Sequence, residues 1–220
     1  MKLSGFFFAL ILLLSFITPK AYSQSKFEGK VVIETSGIDG SGTLNYYIKG
    51  QNIRLDMNSA RGEVNALFDR ANKKVLMIMP AMKMYMEFPM DLMKDNSENE
   101  NMDNETDKFE KTGEMKKING YNCEKWIMKE NNGSTEAWMT KDLGGFMFFD
   151  SPMGNKSEST WQKDIEESGN FPMLVIQKNN EGDEISKFNV LSVVSMNLDD
   201  SFFTVPDGYS QMKMPMGKGK

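Results

Sequence analysis

The chain of 220 residues contains no histidine and only one cysteine, Cys123. Histidine is the side chain best suited to general base work at neutral pH and the commonest metal ligand, so its absence excludes imidazole triads, zinc sites and imidazole-based copper sites. A lone thiol closes no internal disulfide, and stability must come from packing. Cys123 also lacks the base or positive surroundings a nucleophilic thiol needs, since Glu124 adjoins it. Its expected role is that of a small buried residue near Trp126. Positive charge is in deficit too, with 26 Lys and Arg against 31 Asp and Glu and a net charge of -5. That balance argues against a nucleic-acid partner, whose phosphates require a basic footprint. Carboxylates are plentiful, but pairs such as Glu166 and Glu167 sit on polar segments and read as solvated. Two facing carboxylates of glycosidase type have no positive signature here. The expectation is a protein that is not an enzyme and uses no cofactor.

Long apolar runs are missing after the N-terminus. The start is Lys2 followed by Phe6 to Ile17, an apolar stretch of about a dozen residues where a membrane span needs about 20. Pro19 and the small-residue pattern Ala21-Tyr22-Ser23 follow, which predicts a signal peptide over 1–23, cut after Ser23, with Gln24 as the new N-terminus. No cysteine stands there to carry a lipid anchor. The expected product is a monomer exported to the periplasm of a Gram-negative-type envelope. It comprises one domain over 24–210, with a Met- and Lys-rich tail over 211–220.

What is present in quantity is period-two alternation. Phe27, Val31, Ile33 and Thr35 share one parity, as do Leu44, Tyr46 and Ile48, then Ile53, Leu55 and Met57, then Val64, Ala66 and Phe68. Val75, Met77 and Met79 lead into Met82, Met84, Met86 and Phe88. Later strands are expected over Tyr121 to Lys129, Ser134 to Thr140, Met173 to Gln177 and Phe188 to Leu198. Turn signals separate these runs at Gly37 to Gly42, Lys49 to Asn52, Asn119-Gly120, Asn131 to Gly133 and Asn179 to Asp183. Connections this short imply antiparallel neighbours, hence a meander of about nine or ten strands. A sheet of that size curls around a core. Two stretches break the pattern. Residues 91–108 are acidic, Asn-rich and aperiodic, as in a mobile loop. Residues 141–169 carry Phe146, Met147, Phe148 and Phe149, then a predicted helix with Ser159 as cap, Gln162 at the capping-box position, and Trp161 and Ile165 one turn apart.

Several short motifs occur in a fixed order. They are Phe27-x-Gly29-x-Val31, Ile118-Asn119-Gly120-Tyr121-Asn122-Cys123 followed by Trp126, Glu136-Ala137-Trp138 with Thr140, Phe171-Pro172-Met173, and Phe202-Phe203-Thr204-Val205-Pro206-Asp207-Gly208-Tyr209. In this order they resemble an exported bacterial family, that of domain of unknown function 4412. Its members look like relatives of the LolA and LolB lipoprotein carriers. The resemblance spans roughly Phe27 to Tyr209. It implies a mainly β (α+β) fold, LolA-like: one curved antiparallel sheet forming a half-open barrel, with one or two helices covering a concave face that holds acyl chains. The family supplies no agreed activity, so ligand and partner, a lipid or an acylated protein, are only implied.

Methionine is over-represented, with 20 residues, and three readings stand open. In the first, the alternating Met82, Met84, Met86 and Phe88 simply fill a core, because the thioether adapts to irregular gaps. In the second they line an apolar cavity with Met77, Met79, Phe146, Phe148, Phe149 and Trp161. In the third they hold a soft cation such as monovalent copper or silver, using Met82, Met84 and Met86 with Met212, Met214 and Met216 of the tail. Same-face residues on one strand lie about 6.6 Å apart, so three sulfurs from a single strand converge poorly.

Overall fold

The structure, a computed structural model, describes residues 26–37, 40–59, 62–90, 108–148 and 160–213. Its strands are β1 (Glu28–Gly37), β2 (Gly40–Lys49), β3 (Asn52–Ser59), β4 (Gly62–Asp69), β5 (Lys74–Met79), β6 (Met84–Pro89), β7 (Glu110–Ile118), β8 (Tyr121–Glu130), β9 (Gly133–Thr140), β10 (Phe171–Lys178), β11 (Glu184–Ser195) and β12 (Ser210–Gln211). One helix, α1 (Thr160–Ser168), precedes β10. All twelve strands form one sheet in the order β12-β6-β5-β4-β3-β2-β1-β11-β10-β9-β8-β7, which does not close into a barrel. The mainly β, half-open architecture is the expected one. The predicted signal segment 1–23, the acidic stretch 91–107, Ser159, Phe149 and the end of the tail lie outside the described residues.

Two features depart from a single antiparallel meander. The sheet is two meanders, β1 to β6 and β7 to β11, joined where β1 pairs with β11. Its last strand runs parallel to β6, with Ser210 beside Met84 and Gln211 beside Tyr85. The ordered sheet therefore continues past residue 210. β7 was not foreseen because it is an edge strand with almost every residue exposed. Without a buried face nothing imposes alternation, and charged residues on such an edge discourage pairing with other chains.

The turn residues act where the sequence places them. Asn119 and Gly120 take positive φ, 49° and 87°, as a two-residue hairpin between β7 and β8 requires. At Gly133, opening β9, φ is 148° and an added Cβ would stand 1.8 Å from the Lys178 carbonyl oxygen, so only glycine fits.

Cross-strand register lays out an apolar inner face row by row. One row is Val31, Tyr46, Leu55, Ala66, Met77 and Met86, taken from β1 to β6. A second is Ile48, Ile53, Phe68, Val75 and Phe88, and all members of both are buried. The face is concave at its centre. Tyr46 of β2 and Phe171 of β10 are three strand spacings apart, about 14 Å along the sheet. Their rings nevertheless meet at 5.6 Å.

The outer face is covered differently. Beyond β11 the chain turns back: the Leu198 amide donates to Glu28 Oε1 at 2.6 Å, and Lys49 Nζ donates to the Leu198 carbonyl at 2.7 Å. The segment then crosses the outer side of the first meander. Arg54 lies 4.1 Å from the Phe202 ring and donates to the Phe202 carbonyl at 3.0 Å. Val205 and Tyr209 pack on Leu67, Leu76, Ile78 and Tyr85 before β12 joins β6. The Phe202 to Tyr209 motif is thus a strap that gives the sheet its second apolar layer.

Candidate functional site

The segment from Leu143 to Phe148 enters the concavity and fills it. Phe146 stacks on Tyr46 at 4.7 Å and meets Phe148, Phe171 and Phe188 edge-on at 4.7, 5.0 and 5.3 Å. Trp161 of α1 closes on Phe148 at 5.3 Å. Polar bonds hold the segment in place. The Met147 amide donates to Tyr46 Oη at 3.1 Å, the Phe148 amide to Glu166 Oε1 at 2.6 Å, and Arg70 Nε reaches the Met147 sulfur at 3.1 Å. Burial pushes the Tyr46 hydroxyl far above its ordinary pKa, with Arg70 opposing, so it stays neutral and serves as an acceptor. Phe146 and Trp161 are buried and Phe148 half-buried, so these rings pack on one another where an open hollow was the alternative.

The methionines from Met77 to Met86 divide into three groups. Met77 and Met86, at 6% and 2% exposure, are buried with Phe88 in a cluster of their own at the β4 to β6 end, where Val64, Met79 and Met212 pack against them. Met79 and Met84 oppose each other in register and are half-buried. Met82 leaves the expected inner face altogether: Pro80–Met82 form a 3-10 turn, Lys83 takes φ 50° to close it, and Met82 is 56% exposed. The alternation of Met82, Met84 and Met86 in sequence therefore spans a turn and a strand. Met214 and Met216 lie outside the described residues.

A third inner row lies towards the rim. Leu44, Met57 and Val64 oppose one another across β2, β3 and β4, and Met79 opposes Met84 across β5 and β6. Extending the β4–β5 register by one pair sets Val64 beside Met79, and both pack against the same cluster. Each is half-buried. Four strand spacings make this an apolar line about 19 Å long. The sequence pattern assigned Leu44, Met57 and Val64 to buried faces, but only register shows that they line up with the methionines. Two clefts among the described residues lie elsewhere. One, about 640 Å³, is lined by residues including Lys26, Glu28 and Asp142. The other, about 700 Å³, lies along the strap between Arg54 and Asp207.

Cys123 is fully buried, burial raises its thiol pKa, and its sulfur donates weakly to the Tyr121 carbonyl. Among the described residues no group of three or more Cys, Asp or Glu side chains could hold a metal ion. No described helix is long and apolar enough to cross a membrane. Two polar atoms buried at α1, Trp161 Nε1 and Gln162 Oε1, have no hydrogen-bond partner among the described residues.

The model of one family, Domain of unknown function (DUF4412), matches residues 27–209. The chain belongs to this family. It is the one that the motifs from Phe27 to Tyr209 resemble, and those motifs now map onto β1, the β7–β8 hairpin, β9, the start of β10 and the strap. No curated protein matches the chain. Among solved structures it is similar to an uncharacterized conserved protein from Thermus thermophilus, at 8% identity and TM-score 0.51, over 84% of this chain and 90% of that one. It is also similar to PNGF-II, at 17% identity and TM-score 0.48, over 84% of this chain but 30% of that one. The third is the Pseudomonas aeruginosa MucA/MucB complex, at 8% identity and TM-score 0.48, over 82% of this chain and 56% of that one. The chain therefore spans less than two thirds of the latter two. The Thermus protein shares the fold, and at 8% identity the likeness extends no further.

Proposed function

We propose that this member of the DUF4412 family is a non-enzymatic binding or carrier protein of the periplasm. Its cargo is a hydrophobic ligand, a lipid or the acyl chain of a modified protein, held against the rim of the inner face. The observation that carries this reading is the half-buried line Leu44, Met57, Val64, Met79 and Met84. An apolar line on five neighbouring strands leaves surface to be covered, and flexible thioethers suit a guest of variable shape. Phe146, Phe148 and Trp161 form the packed floor beside it, and Met77, Met86 and Phe88 lie under it. The leader pattern of residues 1–23 supports an exported site of action. The lack of histidine and the protonated, buried Cys123 support binding over catalysis.

The test is titration of the mature chain with a fluorescent fatty acyl probe. Saturable uptake is expected, and Met57→Glu combined with Met84→Glu should abolish most of it while leaving the far-ultraviolet circular dichroism unchanged. A wild-type protein that takes up no probe overturns the proposal.

A further inference from the structure

The same corner of the sheet has a second chemistry that depends on sulfur and not on apolar character. Three adjacent strands turn methionines to one face there: Met77 and Met79 from β5, Met86 from β6, and Met212 directly after β12. Met77 opposes Met86 in register. The parallel ladder of β12 is held by the Ser210 amide on the Lys83 carbonyl at 3.0 Å and the Met212 amide on the Tyr85 carbonyl at 2.8 Å. Continuing the register of Ser210 with Met84 and Gln211 with Tyr85 sets Met212 beside Met86. All four methionines belong to one packed cluster.

This arrangement removes the obstacle that a single strand presents. Residues two apart on a strand are separated by about 6.6 Å, whereas directly opposed side chains on neighbouring strands start from Cβ atoms about 4.5–5.5 Å apart. Each methionine has three rotatable bonds with which to aim its sulfur. Thioethers select soft monovalent cations, and hard cations find no carboxylate or imidazole within the cluster. Burying a bare cation is costly, but Met79 and Met212 are only half-buried, so an ion at their level keeps water on one side.

We infer that the thioethers of Met77, Met79, Met86 and Met212 form a site for a soft monovalent cation, copper(I) or silver(I). β12 completes the site by delivering Met212. The inference is independent of the apolar reading, because leucine preserves the apolar surface and removes the sulfur.

Silver(I), which is redox-inert under these conditions, is the probe, titrated in chloride-free buffer into the mature protein labelled at the methionine ε-methyl carbons. The expected result is saturable binding of one ion, with the four methyl resonances of the cluster shifting together. Met79→Leu, Met86→Leu and Met212→Leu combined should lose that binding with the far-ultraviolet circular dichroism unchanged. Met212→Leu alone should weaken it several-fold while uptake of the acyl probe stays as in the wild type. Leucine conserves the volume and apolar character of methionine, and an unchanged far-ultraviolet circular dichroism spectrum checks that the variant folds. Non-saturable binding, shifts spread evenly over the methionines, or silver affinity unchanged in the triple variant would each overturn the inference.

Discussion

Glu136 sits at the centre of a charge ladder on the outer face of the second meander. Its carboxylate meets Lys178 Nζ at 2.8 Å and Lys125 Nζ at 3.0 Å, and Lys125 in turn reaches Glu114 at 3.9 Å. The Lys178 hydrogen bond, and then Lys125, hold the Glu136 carboxyl below its ordinary pKa against the opposing effect of burial. A folded pKa below the unfolded one contributes stability that is present above the unfolded value and lost as pH falls through the folded value. The Glu136→Gln variant should therefore be less stable than wild type near neutral pH, by on the order of 1 kcal/mol. The gap should close in acid, below the usual carboxylate range of about 4. Urea denaturation midpoints of both proteins across that range measure it, and a gap that stays constant would contradict the assignment.

At the scale of elements, the strap bears the most consequence for its length. It is tied by the Arg54 contacts to Phe202, by the edge-on contact of Tyr47 with Phe202 at 4.8 Å, and by the Lys49–Asp200 ion pair. Beneath it Leu67, Leu76 and Ile78 are buried on the side of the sheet that would otherwise face water. Phe202→Ala should cost about 2 kcal/mol, less than the roughly 3–5 typical of a core phenylalanine because Phe202 is only half-buried. It should also raise the binding of a hydrophobic dye as the strap loosens. Thermal denaturation with and without the dye reads both effects, and an unchanged midpoint would show that the strap does not carry this layer. The strap's position was not legible in the sequence. Phe202 to Tyr209 has no alternation, and its partners Arg54 and Tyr47 stand far earlier in the chain, so only the folded arrangement discloses them. Hairpin turns were legible because Asn-Gly and Gly-containing loops are local decisions. Helix α1 was legible for the same reason, through Trp161 and Ile165 one turn apart. β7 and the parallel β12 escaped because neither has a buried face of its own long enough to leave a pattern.

At the scale of the whole molecule, the alternating residues predicted a curved sheet with a methionine-rich inner face. They did not predict which rows would be filled. The aromatic segment from Phe146 to Phe148 occupies the centre and leaves the rim from Leu44 to Met84 half-covered. That division depends on how a loop far along the chain from β2 folds back over β2, β10 and β11. The site expected from sequence is thus part floor and part rim, with Met82 on neither. The proposed function places a guest at this apolar rim. Native mass spectrometry of the protein, purified without detergent, tests this most directly. The prediction is a population heavier than the polypeptide by the mass of a lipid, lost when Met57 and Met84 are both replaced by glutamate. A single species at the bare polypeptide mass, unchanged after incubation with envelope lipid extract, would contradict it.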